Sequence, residues 1–241
     1  MKVIKVKNYE EMSKVAAEIF KDVVKNKSNA VLGLATGTTP LGLYSELIKD
    51  HKENGTTYKN IKTVNLDEYA GLDIESDQSY VYFMRHNLFE GLDIDLKNTN
   101  IENGKAEDKE KECERYNNLL GEMQQDIQLL GLGSNGHIAF NEPNTPFGSG
   151  VHIVKLTENT IKDNSRLFAN INDVPRYAFT MGIKNIMNAK KIVILASGKN
   201  KANAVKASVE GAVTEDVPAS VLQLHPDCTF IVDEEAASLL K

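Results

Sequence analysis

Apolar positions along the chain fall into two alternating rhythms. Between residues 8 and 27 they recur at Met12, Val15, Ala16, Ile19, Val23 and Val24, the spacing that draws one apolar stripe down a helix. Residues 30–35 (AVLGLA) instead form a short unbroken apolar run before a turn signal, which predicts a buried strand. The pattern continues with a helix over 40–52, a strand over 61–66 and helices over 79–89 and 108–122. Further strands are predicted at 127–131, 151–156, 177–181 and 191–196, then a helix at 199–210, short strands at 220–224 and 229–232, and a terminal helix at 234–240. Such a β-α-β-α order predicts an α/β fold, a mostly parallel sheet with helices on both faces. Ligands of such sheets bind beyond the carboxyl ends of the strands, near a switch in strand order. The chemistry is therefore to be sought in the loops that leave the strand ends.

Four strand ends carry chemistry-bearing residues. The first runs into Ala35-Thr36-Gly37-Thr38-Thr39-Pro40, where Gly37 permits a tight turn, Thr39 is placed to cap a helix and Pro40 to open it. Backbone N–H groups and threonine hydroxyls at a helix N-terminus suit a phosphate, although an ordinary strand-to-helix turn has the same look. The second ends in Asn65-Leu66-Asp67-Glu68-Tyr69, two adjacent carboxylates that offer either a general base or a helix cap. The third leads into Gly131-Leu132-Gly133-Ser134-Asn135-Gly136-His137-Ile138-Ala139-Phe140-Asn141-Glu142-Pro143. A histidine in a glycine-rich loop, with a glutamate five residues on, is a proton shuttle with a group to fix its tautomer. The fourth, Ser197-Gly198-Lys199-Asn200-Lys201, is another glycine turn, now with two lysines, and Arg166 is a further candidate cation.

Composition narrows the classes. A formal net charge of −6 without a basic block leaves no electrostatic footprint for nucleic acid or an anionic membrane. An anionic ligand would have to be held by a local cluster. The two cysteines, Cys113 and Cys228, are too far apart for a disulfide framework or a metal-binding spacing, and His137 has no second ligand at zinc spacing. The N-terminal residues lack the apolar stretch of a signal peptide, and no apolar run reaches membrane-spanning length, so a cytoplasmic location is expected. No repeat or linker-like shift divides the 241 residues, so one domain spanning 1–241 is expected.

The motifs TGTTP (36–40), NLDEY (65–69), GLGSNGHIAFNEP (131–143), NSR (164–166), SGKNKA (197–202) and LQLHP (222–226) occur in the order and spacing of the glucosamine-6-phosphate deaminase family, which the chain resembles over nearly its whole length. The resemblance implies a three-layer αβα sandwich with a Rossmann-like sheet, shared with phosphopentose isomerases and CoA transferases. It implies glucosamine 6-phosphate as substrate, no metal and no cofactor, and leaves self-association open. It makes Asp67 the base at C2 and His137 the ring-opening group, with Asn135 and Glu142 beside it. Thr36, Gly37, Thr38, Arg166 and Lys201 would bind the 6-phosphate. Many relatives carry Asp where this chain has Asn135, which puts the stabilising charge on Glu142 alone. A lactonase acting on a related sugar phosphate and a non-catalytic sugar-phosphate sensor are the rival readings. In larger hexameric relatives, N-acetylglucosamine 6-phosphate activates through basic residues just after the NEP motif and a longer C-terminal tail. Here His152 and Val154 align with those basic positions and the chain stops at Lys241, so no such activation is expected.

Overall fold

Seven parallel strands form the central sheet of the computed structural model. They are β1 (Lys2–Val6), β2 (Val31–Leu34), β3 (Lys62–Asn65), β5 (Thr99–Asn100), β6 (Ile127–Gly131), β9 (Ile192–Ala196) and β10 (Cys228–Asp233). Their order across the sheet is β1-β10-β9-β6-β2-β3-β5. The structure describes residues 1–158, 161, 168, 170 and 173–241. Central strands are buried end to end, as β9 (IVILA) and β10 (CTFIVD) show, because helices cover the sheet. The principal helices are α1 (Tyr9–Asn26), α2 (Leu41–Asn54), α3 (Tyr80–Asn87), α4 (Lys109–Glu122), α5 (Ile183–Met187) and α6 (Ala202–Glu210). Asn8, Ser79 and Asp108 cap α1, α3 and α4 by accepting backbone N–H bonds. This is the expected α/β sandwich.

A second sheet departs from the simple parallel reading. The strands expected near 151–156 and 177–181 form as β7 (His152–Lys155) and β8 (Tyr177–Thr180). Both are antiparallel, β8 pairing with β7 on one side and with β4 (Asp67–Tyr69) on the other. The chain leaves the central sheet at Leu66, whose N–H still bonds to the Leu34 carbonyl while its own carbonyl accepts from Met181. Two other expectations are corrected, and one strand is added. Residues 220–224 are not a strand but lie in the 3₁₀ helix Pro218–Leu224, opened by a proline and anchored by Ser220 Oγ, which accepts from the Thr214 N–H. The terminal helix expected over 234–240 is a run of turns. Lys2–Val6, unassigned from sequence, pairs with β10 as an edge strand, with Lys2 and Lys5 exposed.

Two buried tyrosines fix where the central strands end. Tyr44 on α2 accepts the Ala35 N–H at 3.2 Å and donates to the Ala35 carbonyl at 2.5 Å. Tyr116 on α4 accepts the Asn65 N–H at 2.9 Å and donates to the Asn65 carbonyl at 2.8 Å. Each hydroxyl satisfies backbone groups that the sheet ladder has released, at the points where the chain turns toward the site.

Candidate active site

The loops after β2, β6 and β9 and the β3–β4 junction enclose a cleft of about 320 Å³ at the carboxyl edge of the sheet. β6 lies between β2 and β9, so the three loops converge by topology. A roomier groove of about 670 Å³ lies elsewhere, lined by Asn117, Phe147, Lys184 and their neighbours. It holds none of the candidate site residues, so we place the chemistry in the smaller cleft.

Part of the cleft lining suits an anion: Thr36, Gly37, Thr39 and Lys201 belong to it. Gly37 has φ +91°, which favours glycine, and no atom lies within 4 Å of where a Cβ would sit. Thr38 is exposed beside it, and its carbonyl accepts from the Tyr9 hydroxyl at 3.1 Å. The expected cap is different: Pro40, not Thr39, precedes α2, and no side chain of its own caps the helix. The Tyr9 hydroxyl, from α1, accepts the Gly42 N–H at 2.8 Å instead. Arg166 lies outside the described residues.

The two adjacent carboxylates separate into two jobs. Successive residues of a strand face opposite ways. Glu68 turns to the start of α3, where Oε1 accepts from Tyr80 N–H and Oε2 from Val81 N–H, both at 3.0 Å, and Oε1 also accepts from its neighbour Tyr69 N–H at 2.7 Å. Burial raises its pKa to about 7, against the pull of those three donors. Asp67 lines the cleft, 7% exposed. Burial, reinforced by the Glu68 charge, raises its pKa to about 8. A carboxylate so placed can be a base near neutral pH.

The glycine-rich loop builds a second proton-transfer group. His137 lines the cleft, and its Nδ1 lies 2.7 Å from Asn135 Oδ1 and 3.5 Å from Glu142 Oε1. An amide oxygen only accepts, so Nδ1 carries the hydrogen and Nε2 is left as the base. Asn135 Nδ2 in turn donates to Glu142 Oε2 at 2.7 Å. The amide thus links imidazole to carboxylate, accepting from one and donating to the other. The nearby imidazole of His137, with the bond from Asn135, lowers the Glu142 pKa, burial opposing. Gly133 is required here, since a Cβ would collide with the imidazole. β8 ties this loop to the base: Thr180 is the register partner of Asp67, and its Oγ1 accepts the Phe140 N–H at 3.1 Å.

Sequence patterns do not single out Tyr80 and Phe140, which make the aromatic wall beside Asp67. Tyr69 packs against both, with ring centroids 4.7 and 6.3 Å away. No motif spacing points to Tyr80. The only clue is that Glu68 could cap the helix it opens. Among the described residues no cluster of His, Cys, Asp and Glu could hold a metal ion.

The profile of a family described as glucosamine-6-phosphate isomerases/6-phosphogluconolactonase matches residues 6–231. The chain belongs to this family. The glucosamine-6-phosphate deaminase of Thermoanaerobacter pseudethanolicus is 54% identical over 241 residues, covering 100% of this chain and 95% of the relative. The solved structure of a monomeric glucosamine-6-phosphate deaminase superposes with a TM-score of 0.97 at 50% identity, covering 99% of this chain and 100% of the other. A 6-phosphogluconolactonase from Trypanosoma brucei superposes at 0.80 with 18% identity over 100% and 98%, which shows a shared fold. No described helix is long and apolar enough to cross a membrane.

Proposed function

We propose that the chain, as a single domain, converts glucosamine 6-phosphate and water to fructose 6-phosphate and ammonia, a step of amino-sugar catabolism. The carrying observation is one cleft holding a buried Asp67 with pKa about 8 together with His137 in its base tautomer. Full-length identity to deaminases supports the same reading. His137 Nε2 takes the proton of the anomeric hydroxyl and returns one to the ring oxygen, giving the open aldehyde. Asn135 holds the ring, and Glu142 stabilises its charged form. Asp67 removes the C2 proton, which the adjacent carbonyl acidifies, leaving an enolamine. Reprotonation at C1 gives a ketose imine, and water hydrolyses it to ketose and ammonia. Thr36, Gly37, Thr38, Arg166 and Lys201 are proposed to hold the 6-phosphate. The proposed location is the cytoplasm.

The test is to supply purified protein with glucosamine 6-phosphate and, separately, 6-phosphogluconolactone. Ammonia and fructose 6-phosphate are expected in equal amounts from the first. Lactone hydrolysis without ammonia would replace the deaminase by the rival hydrolase. Lys201→Ala should raise KM about 10–100-fold, the scale of a lost charge-assisted contact.

A further inference from the structure

The turn that brings Lys201 to the cleft is gripped from the neighbouring strand. Asp233 ends β10, which lies beside β9 in the sheet, and is 6% exposed. Its Oδ2 accepts from Ser197 Oγ at 2.5 Å and from the Gly198 N–H at 3.0 Å. Its Oδ1 lies 3.1 Å from the same N–H and accepts the Ala236 N–H at 2.8 Å. Both oxygens are therefore engaged, chiefly by the first two residues after β9. Gly198 has φ +91°, and its carbonyl accepts the Lys201 N–H at 3.0 Å, closing the 3₁₀ turn Lys199–Lys201. A continuous set of bonds runs from Asp233 through Ser197 and Gly198 to the Lys201 backbone. The loop after β2 is built alike: Gly37 has the same φ, and Tyr9 grips the turn from a neighbouring element.

A buried carboxylate on this side of the site carries a cost. Burial takes the carboxyl group out of water, which must be compensated by bonds. The bonds from Ser197, Gly198 and Ala236 offset that cost, and those at Ser197 and Gly198 hold the turn. Charge-assisted bonds are shorter and stronger than neutral ones, and a side chain must be held within a fraction of an ångström to meet a ligand productively. The Gly198 N–H is spent on Asp233, and Lys201 is the residue of this turn that lines the cleft.

We propose that Asp233 is a positioning residue for the anion-binding part of the cleft: it fixes the Ser197–Gly198 turn so that Lys201 meets the phosphate, and it takes no part in proton transfer. The inference rests on the reading of Lys201 given under Proposed function. Steady-state kinetics with glucosamine 6-phosphate, and competitive inhibition by inorganic phosphate, test it in Asp233→Ala, Asp233→Asn, Lys201→Ala and the double alanine variant. Asp233→Ala should raise KM and the phosphate inhibition constant together, about tenfold, the scale of one weakened charge-assisted contact, with kcat within about twofold. Asp233→Asn, which keeps one acceptor oxygen, should shift both less. The double variant should be no worse than Lys201→Ala, because the two residues act through one contact. A fall in kcat at unchanged KM, or effects that multiply in the double variant, overturns the proposal. If Lys201→Ala raises KM and Asp233→Ala does not, the positioning role alone fails. If Lys201→Ala changes neither constant, the phosphate reading beneath it fails. Should Asp233→Ala not fold, Ser197→Ala removes one of the donors and is read the same way: both constants raised at unchanged kcat supports the role, and no change overturns it.

Discussion

Asp67 and Glu68 are neighbours in sequence with opposite duties, and the difference is one of orientation. β4 turns Glu68 to two N–H groups at the start of α3, with a third from Tyr69, and leaves Asp67 in the cleft. Asp67→Asn should keep substrate binding and lower turnover roughly 10²–10⁴-fold, the scale of a lost base; near-normal kcat in the purified variant would remove Asp67 from the role. The same residue sets a stability cost with a definite sign. The folded state holds a proton on Asp67 up to about pH 8, whereas the ordinary carboxyl releases it near 3.8. Between those values the fold binds more protons than the unfolded chain, so this contribution to stability falls as pH rises across the window. Asp67→Asn should therefore melt higher than the native protein at pH 8 and lose that advantage at pH 4, with each kcal/mol worth about 2–4 °C in a chain of this size. An equal Tm difference at both pH values would show that Asp67 is not held protonated by the fold. His137→Gln should impair ring opening more than enolisation. Comparing the forward reaction with the reverse from fructose 6-phosphate and ammonia decides this, and equal losses in both would contradict a dedicated ring-opening role.

At the scale of elements, the site depends on how loops are held. Gly133 lets the imidazole lie against backbone, where a Cβ would run into the ring. Gly133→Ala should displace His137 and reduce kcat strongly, with a thermal midpoint within a few degrees of native; unimpaired kcat would mean that the ring need not occupy this place. Tyr116 works on the strand end. Its hydroxyl satisfies both backbone groups of Asn65, two residues before Asp67. Tyr116→Phe should cost about 1–3 kcal/mol, the penalty of orphaned buried polar groups, read as a lower denaturation midpoint. These elements differ in how legible they are. The GHIAFNEP run places His137 and Glu142 together from sequence, because the whole array lies within one short loop. Tyr44, Tyr116 and Tyr9 carry no local signal, since each acts on backbone several or many residues away.

For the whole molecule, the second sheet joins proton-transfer groups that come from distant parts of the chain. β8 pairs with β4 at Asp67 and, through Thr180, holds the loop that carries His137. Its partner β7 contains His152 and Val154, where larger relatives are expected to carry basic residues. Val154 has no charge to offer a phosphate, and His152 Nδ1 is bonded to the Gly150 carbonyl at 2.8 Å. Substrate saturation should accordingly be hyperbolic, and N-acetylglucosamine 6-phosphate should not raise activity. Rate curves with and without that compound check this, and a sigmoidal curve made hyperbolic by it would defeat the expectation.

What the sequence determined by itself was whatever is local: the apolar periods of α1, α2 and α4, the unbroken runs of β2, β6 and β9, and the loop that links His137 to Glu142. Helix and strand periods are set by a few adjacent residues, and a motif confined to one loop keeps its geometry wherever the loop is placed. The family resemblance named Asp67 as the base, but only the tertiary structure turned Glu68 away to α3 and put 151–156 and 177–181 in a separate antiparallel sheet. The structure alone showed that 220–224 coils as 3₁₀ helix and that Tyr80 and Phe140 wall the site. The sheet pairing and the aromatic wall turn on hydrogen bonds or burial between residues far apart in the chain. The Asp67 pKa near 8 has the same origin, because it is set by desolvation, and burial exists only once the sheet has closed around the carboxyl group.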